Sequence, residues 1–214
     1  MSEEYKKPKL GICLVGISHL VHNNRWPVNR SYLDCFDNYC KEIITPLSKK
    51  FQTGVYLTTY KSSHSINIIE KYNPVAFQFF NLKNSHQILT FIKSIDLVEK
   101  EDLDYILFTR FDIWFNPDQV KRLKIDLNKF NFLCREKDYW ESNHFVNDCF
   151  YVLPFSMLRT LKQACIDLYN NPPRPGLMDM HGLYDKLKDK VNINFMVDEH
   201  HLSSGNDIYT LKRL

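Results

Sequence analysis

Short apolar runs alternate with longer amphipathic stretches along this chain, and no other feature constrains its fold as strongly. The first run, Leu10 to Ile17 (LGICLVGI), is apolar almost without interruption, as expected of a strand covered on both faces. An amphipathic stretch from about Asn29 to Lys50 predicts a helix, and Val55 to Tyr60 a second strand. Ser62 or Ser63 is placed to cap the helix that follows. Pro74 opens a third strand, Val75 to Phe80; a helix from about Ser85 to Glu99 leads to a fourth, Tyr105 to Thr109. Beyond it the pattern predicts strands Phe130 to Cys134 and Cys149 to Leu153, and a helix Phe155 to Tyr169 that Asn170 to Pro175 (NNPPRP) ends. A helix from about Met180 to Lys190, a strand Ile193 to Val197 and a tail strand near Tyr209 to Leu211 complete the reading.

This βαβα order implies an α/β fold, a mixed but mostly parallel sheet of about six strands flanked by helices. With 214 residues, no repeat and no Gly/Ser linker, one domain over 1–214 is expected. It would divide into a half of about 1–115 and a half of about 116–214. A net charge of +3, with Lys and Arg scattered among acids, argues against nucleic acid as a partner. No segment approaches the roughly 20 apolar residues of a membrane span. Met1 to Pro8 is polar and does not read as a signal peptide. The six cysteines form no CxxC pair and several lie in apolar runs, so buried reduced thiols and a cytoplasmic location are expected, without zinc.

In open α/β sheets ligands bind beyond the carboxyl ends of the strands, so the polar residues after Ile17, Tyr60, Thr109 and Cys149 are the first candidates. The most informative stretch is Tyr105 to Phe115 (YILFTRFDIWF), in which an apolar strand delivers Arg110 and Asp112 to its carboxyl end before the chain turns apolar again. A carboxylate there can seat a divalent cation that bridges to a diphosphate, and Arg110 can add phosphate hydrogen bonds. The same residues also read as an Arg–Asp pair that ties the strand end to a neighbouring helix. Asp102-Leu-Asp104 matches an acidic DxD pattern as well, but precedes the strand and belongs to the opposite edge.

A strand, a short acidic motif and an apolar continuation resemble the DxD element of GT-A glycosyltransferases, and the whole chain is most similar to the compact capsid-glycan glycosyltransferase domain of large algal viruses (chloroviruses). Arg110 stands where the first acid of DxD would be, which leaves Asp112 as the matching carboxylate. The resemblance implies transfer of a hexose or deoxyhexose, glucose or rhamnose, from a UDP-sugar to a glycan or glycoprotein acceptor, with Mn2+ or Mg2+ and with inversion. It implies a nucleoside cradle at Gly16, Ile17 and Ser18, uracil stacking on Tyr60, and a helix cation at Lys93 near the diphosphate. Arg25 or Arg30, in the polar segment His22 to Arg30, would meet phosphate. Asp148 would be the general base, with Glu141 its rival in the aromatic-rich run Asp138 to His144. A late metal ligand would be His201 rather than its neighbour His200, because adjacent residues on extended chain point opposite ways. Two further functions fit the same pattern. One is a sugar nucleotidyltransferase, whose Gly-rich signature after the first strand is missing from a chain with only 6 Gly; the other is a non-catalytic carbohydrate-binding relic of the fold.

Overall fold

A computed structural model describes residues 6–20, 30–31, 33–81, 86–173, 180–201 and 207–212. The chain begins with β1 (Lys9–Gly16), whose alternate side chains enter two different cores. Leu10, Ile12 and Leu14 pack on one face of the sheet, and Cys13 and Val15 on the other, so the uninterrupted apolar run has a physical cause. β2 (His19–Leu20) and β3 (Arg30–Ser31) form an antiparallel ribbon. The helix expected from Asn29 therefore starts later, as α1 (Leu33–Tyr39). It widens into a π turn over Cys40–Ile44, where the Thr45 amide donates to Cys40, and ends as α2 (Thr45–Ser48). Pro46 supplies the reason for the widening, since it has no N–H for the preceding turn and its ring crowds that turn's carbonyl.

β4 (Gln52–Tyr60) leads to α3 (Ser65–Tyr72) and β5 (Ala76–Phe80). His64, not a serine, is the N-cap residue of α3; the Ser62 hydroxyl accepts from the His64 amide and shapes the preceding turn. α4 (Gln87–Val98) buries Ile88, Phe91, Ile95 and Val98, a spacing that puts one apolar stripe on the sheet. β6 (Tyr105–Arg110) and β7 (Ile113–Phe115) follow, then β8 (Phe130–Phe132), β9 (Arg135–Glu136), the short α5 (Trp140–Asn143) and β10 (Phe150–Pro154). A 3-10 turn at Phe155–Met157 enters α6 (Leu158–Asn170). α7 (Leu183–Leu187) is shorter than the Met180–Lys190 segment expected. β11 (Ile193–Phe195), β12 (His200–His201) and β13 (Tyr209–Leu211) complete the chain.

The main sheet has seven strands, one more than expected, in the order β11-β8-β10-β6-β1-β4-β5. β1 pairs in parallel with β4 and β6, β4 with β5, and β8 with β11, whereas β10 runs antiparallel to both of its neighbours. Reversal of this one strand decides the site geometry, because it brings the start of β10 to the edge where β6 ends, with Phe150 opposite Thr109. At the other edge the Asp104 carboxylate accepts from the Lys9 amide at 2.7 Å and Asp102 pairs with the Lys9 ammonium, so this acidic pair serves strand entry as expected. All six cysteines are free thiols, five of them buried. Burial pushes the Cys134 thiol up to about 12. Among the described residues no helix is long and apolar enough to cross a membrane.

Behind the ligand-facing edge, Asn38 on α1 brackets the backbone of β7. Its side-chain amide donates to the Phe115 carbonyl at 2.8 Å while its oxygen accepts from the Phe115 amide at 2.7 Å. Asn38→Ala leaves both backbone groups buried without those partners, and should lower the unfolding free energy by about 2–3 kcal/mol in urea titration. A loss under about 0.5 kcal/mol would mean that water or a relaxed β7 replaces the amide.

Candidate ligand site at the carboxyl edge of the sheet

A cavity of about 410 Å³ opens where β1, β4 and β6 end and β10 begins. Val15, Phe91, Phe108 and Tyr151 give it an apolar floor, the last two almost completely buried. Gln87, Arg110, Asp148 and His181 supply its polar groups, with Gly16, Ile17, Tyr60, Thr90, Thr109 and Cys149 completing the wall. The volume and the mixture of aromatic floor with a few convergent polar groups suit a ligand of nucleoside size. Gly16 has φ +101°, a conformation that side chains other than glycine's rarely adopt, and a Cβ added there meets no heavy atom within 4 Å. At this position glycine satisfies the backbone turn, and open space lies beyond it. The Tyr151 hydroxyl is buried beside the floor without a hydrogen-bond partner among the described residues.

The polar groups form a chain of alternating charge. The Arg110 guanidinium grips Asp112 with two hydrogen bonds, Nε to Oδ1 at 3.0 Å and Nη2 to Oδ2 at 3.1 Å. Its Nη1 donates to Asp148 Oδ2 at 3.3 Å, and His181 Nε2 stands 3.9 Å from that same oxygen. Phe111 and Asp112 form the turn between β6 and β7, and there the Asp112 carboxylate meets Arg110. Gln87, at the start of α4, also donates to Asp148 Oδ2, and the Cys149 thiol donates to Oδ1 at 3.3 Å. Burial alone would raise the Asp148 carboxyl, but His181 and Arg110, with those two hydrogen bonds, outweigh it and hold the group at about 2. Burial likewise opposes the charge of Arg110, and Asp112 and Asp148 reverse that effect and hold it well above the ordinary guanidinium range. His181 is tied back in both directions, since its Nδ1 lies 2.9 Å from the Val146 carbonyl and its own carbonyl accepts from the Val146 amide at 3.0 Å. A carbonyl only accepts, so Nδ1 carries the proton and Nε2 faces the carboxylate. Two carboxylates face one guanidinium here, and Nε2 of His181 stands beside the second of them.

Of the residues singled out in the sequence, Gly16, Ile17, Tyr60, Arg110 and Asp148 line this cavity. The Tyr60 hydroxyl is within 3.1 Å of Thr90 and its ring meets Phe80 edge-on. Ser18 is buried beneath, where its amide and hydroxyl both bond to Thr59, and it takes no part in the lining. Lys93 points away along α4 and pairs with Asp96, within a cluster that also holds Lys162. Glu141 is exposed on α5 and does not line the cavity. In the run expected to grip sugars, Trp140 instead packs on Tyr184 and Phe195 and takes Arg135 over its ring at 5.2 Å. Arg25 lies outside the described residues, and Arg30 belongs to β3. Sequence reasoning missed Gln87, Tyr151 and His181, which come from a helix start, a strand interior and a segment with no strand of its own.

The residues do not fit a divalent ion held by Asp112 and His201. Both Asp112 oxygens already accept from Arg110, and His201 lies in the β12–β9 ribbon, outside the cavity lining. No group of three or more His, Cys, Asp or Glu side chains among the described residues is arranged to hold a metal.

No family model matches this sequence, and no curated protein sequence matches it. Its fold is shared with 301 solved chains, so the likeness fixes the architecture and leaves the chemistry to the site. One is a nucleotidyl transferase from Methanothermobacter (Mth528), 13% identical, with a TM-score of 0.54 over 88% of this chain and 86% of that one. Another is the apo-form glycosyltransferase GlyE of Streptococcus pneumoniae TIGR4, 14% identical, with a TM-score of 0.49 over 88% of this chain but only 45% of that one. The seven-stranded mixed α/β sheet thus shares its fold with that nucleotidyl transferase.

The charge chain predicts a pH signature. Asp148 has a folded-state pKa near 2 against an ordinary 3.8, so its contribution to stability is present above that ordinary value and is lost as pH falls through 2. Asp148→Asn should cost roughly 2 kcal/mol at pH 7, with the two denaturation curves converging between about pH 4 and 2. A gap that persists at pH 2 would show that the carboxylate acts by shape and not by charge.

Proposed function

We propose that the chain is a glycosyltransferase that moves a sugar from a nucleotide-diphosphate donor to a hydroxyl acceptor. The observation that carries this reading is the cavity itself, an aromatic-floored pocket beneath a guanidinium, laid across the ends of β1, β4 and β6. In this reading the base of the donor lies near Ile17 and Tyr60, and its diphosphate faces the rim at Arg110. In this reading the donor is a UDP-linked hexose or deoxyhexose and the acceptor a glycan. The acceptor oxygen attacks the anomeric carbon, the bond from that carbon to the diphosphate breaks, and the acceptor proton passes to a base.

Asp148 was expected to be that base. A carboxylate held at about 2 and already accepting from Gln87, Arg110 and Cys149 has little appetite for a proton. We assign it instead to holding Arg110 and facing His181, and assign the proton to His181 Nε2. Such a site works by positioning and by stabilising charge on the leaving group.

A nucleotidyltransferase is the second reading, favoured by the archaeal fold neighbour that bears that name. The isolated Gly16 after β1 speaks against it, since a backbone cradle for a triphosphate needs several N–H groups in close approach. Thermal-shift titration separates the two. UDP should raise the melting temperature at least as much as UTP does, and Tyr60→Ala should weaken UDP binding about tenfold. His181→Gln should leave UDP affinity unchanged and reduce sugar transfer about a hundredfold or more. A clear preference for triphosphates would move the assignment to nucleotidyl transfer, and no response to any nucleotide would reject both readings.

A further inference from the structure

We propose that Arg110 is the built-in cation of this site, replacing a divalent metal, and that Asp112 is a positioning residue that aims it. This inference rests on the nucleotide-diphosphate donor proposed above and specifies how that donor is held. Arg110 lines the cavity and Asp112 does not, so at the end of β6 the ligand meets a positive group with its carboxylate behind. The fork of Nε and Nη2 engages both Asp112 oxygens at 3.0 and 3.1 Å, the side-on arrangement that fixes the guanidinium plane. A divalent ion on Asp112 would compete for those oxygens while standing beside a permanent positive charge. Displacing the guanidinium would leave a side chain only 18% exposed with Asp148 as its remaining ion-pair partner.

The donor arithmetic supports the same assignment. A guanidinium carries five N–H groups, and Asp112 and Asp148 use three of them. One N–H on Nη1 and one on Nη2 remain for phosphate oxygens, and they bring a charge that no chelator removes. The substitution that distinguishes this motif from a two-carboxylate one puts an arginine at the first acid position, which supplies a positive charge where a metal site needs a negative one. The second acid keeps its place in the sequence but takes on a different task.

The test measures UDP affinity by calorimetry in EDTA and in MnCl2, and free Mn2+ by electron paramagnetic resonance with and without UDP. The inference expects dissociation constants in the two buffers within about threefold of each other, and a Mn2+ signal that the protein leaves undiminished. Arg110→Gln should weaken UDP about 30-fold in EDTA. Asp112→Asn, which keeps the guanidinium with one of its two acceptor oxygens and covers the case in which Arg110→Gln does not fold, should weaken UDP less than Arg110→Gln does, and by the same factor in EDTA as in MnCl2. UDP binding that needs Mn2+, stoichiometric capture of Mn2+ by the wild type, or a loss of UDP affinity in Asp112→Asn that appears only in MnCl2 would each overturn it. Absence of UDP binding in both buffers would instead reject the donor reading, and the Mn2+ signal would still decide whether the site takes a metal.

Discussion

The guanidinium of Arg110 joins the two halves of the ligand-facing edge. It is delivered by the last residue of β6, is held by Asp112 two residues later, and reaches across to Asp148 at the start of β10. The backbone around it is fastened too: Tyr39 donates to the Arg110 carbonyl, and the Lys212 amide donates to the Asp112 carbonyl at 2.8 Å. A buried charge of this kind is stable only with its partners, so the loop between β6 and β7, the start of β10 and the last strand of the chain have interdependent positions.

The floor of the cavity belongs to the same core that seats α4 and α6. Phe91 packs on Phe108 with ring centroids 4.6 Å apart, and Tyr151 meets Phe91 edge-on at 5.6 Å. Rings that hold α4 to the sheet therefore also shape the pocket, and Gln87 and Thr90 reach it from the first turn of that helix. Packing of this density transmits displacement, so a change of volume at Phe108 would be felt at the Asp148 carboxylate through α4 and Gln87.

Much of this was legible in the sequence. The parallel strands appear as apolar runs because both faces of β1, β4 and β6 are covered, and that periodicity also located the edge where Gly16, Ile17, Tyr60, Arg110 and Asp148 gather. Strand direction was not legible. An apolar run does not record whether its strand is parallel or reversed, and Asp148 reaches the edge from in front of β10 only because that strand runs backwards. Lys93 and Lys162 illustrate a second limit, since a lysine on a helix looks the same in sequence whether it faces a ligand or, as here, an acid on its own surface. His181 illustrates a third, because a contact from a segment with no strand signature depends wholly on tertiary packing. The residue types at the end of β6 raised both a metal seat and an Arg–Asp pair, and only the turn at Phe111–Asp112 shows that the acid meets its neighbour.

The reversed strand has one more consequence. The groups on either side of the pocket mouth are separated by the whole span between β7 and β10, yet they are joined by a direct ladder of backbone hydrogen bonds between β6 and β10. The largely exposed stretch between β7 and β8 can therefore vary while the geometry of the charged mouth is preserved, whereas β8 cannot, because it pairs with β10 and its Phe130 and Phe132 pack on Tyr151. A scaffold wired in this way fixes the charged mouth by its strand ladder and leaves the exposed loop for selection to rewrite.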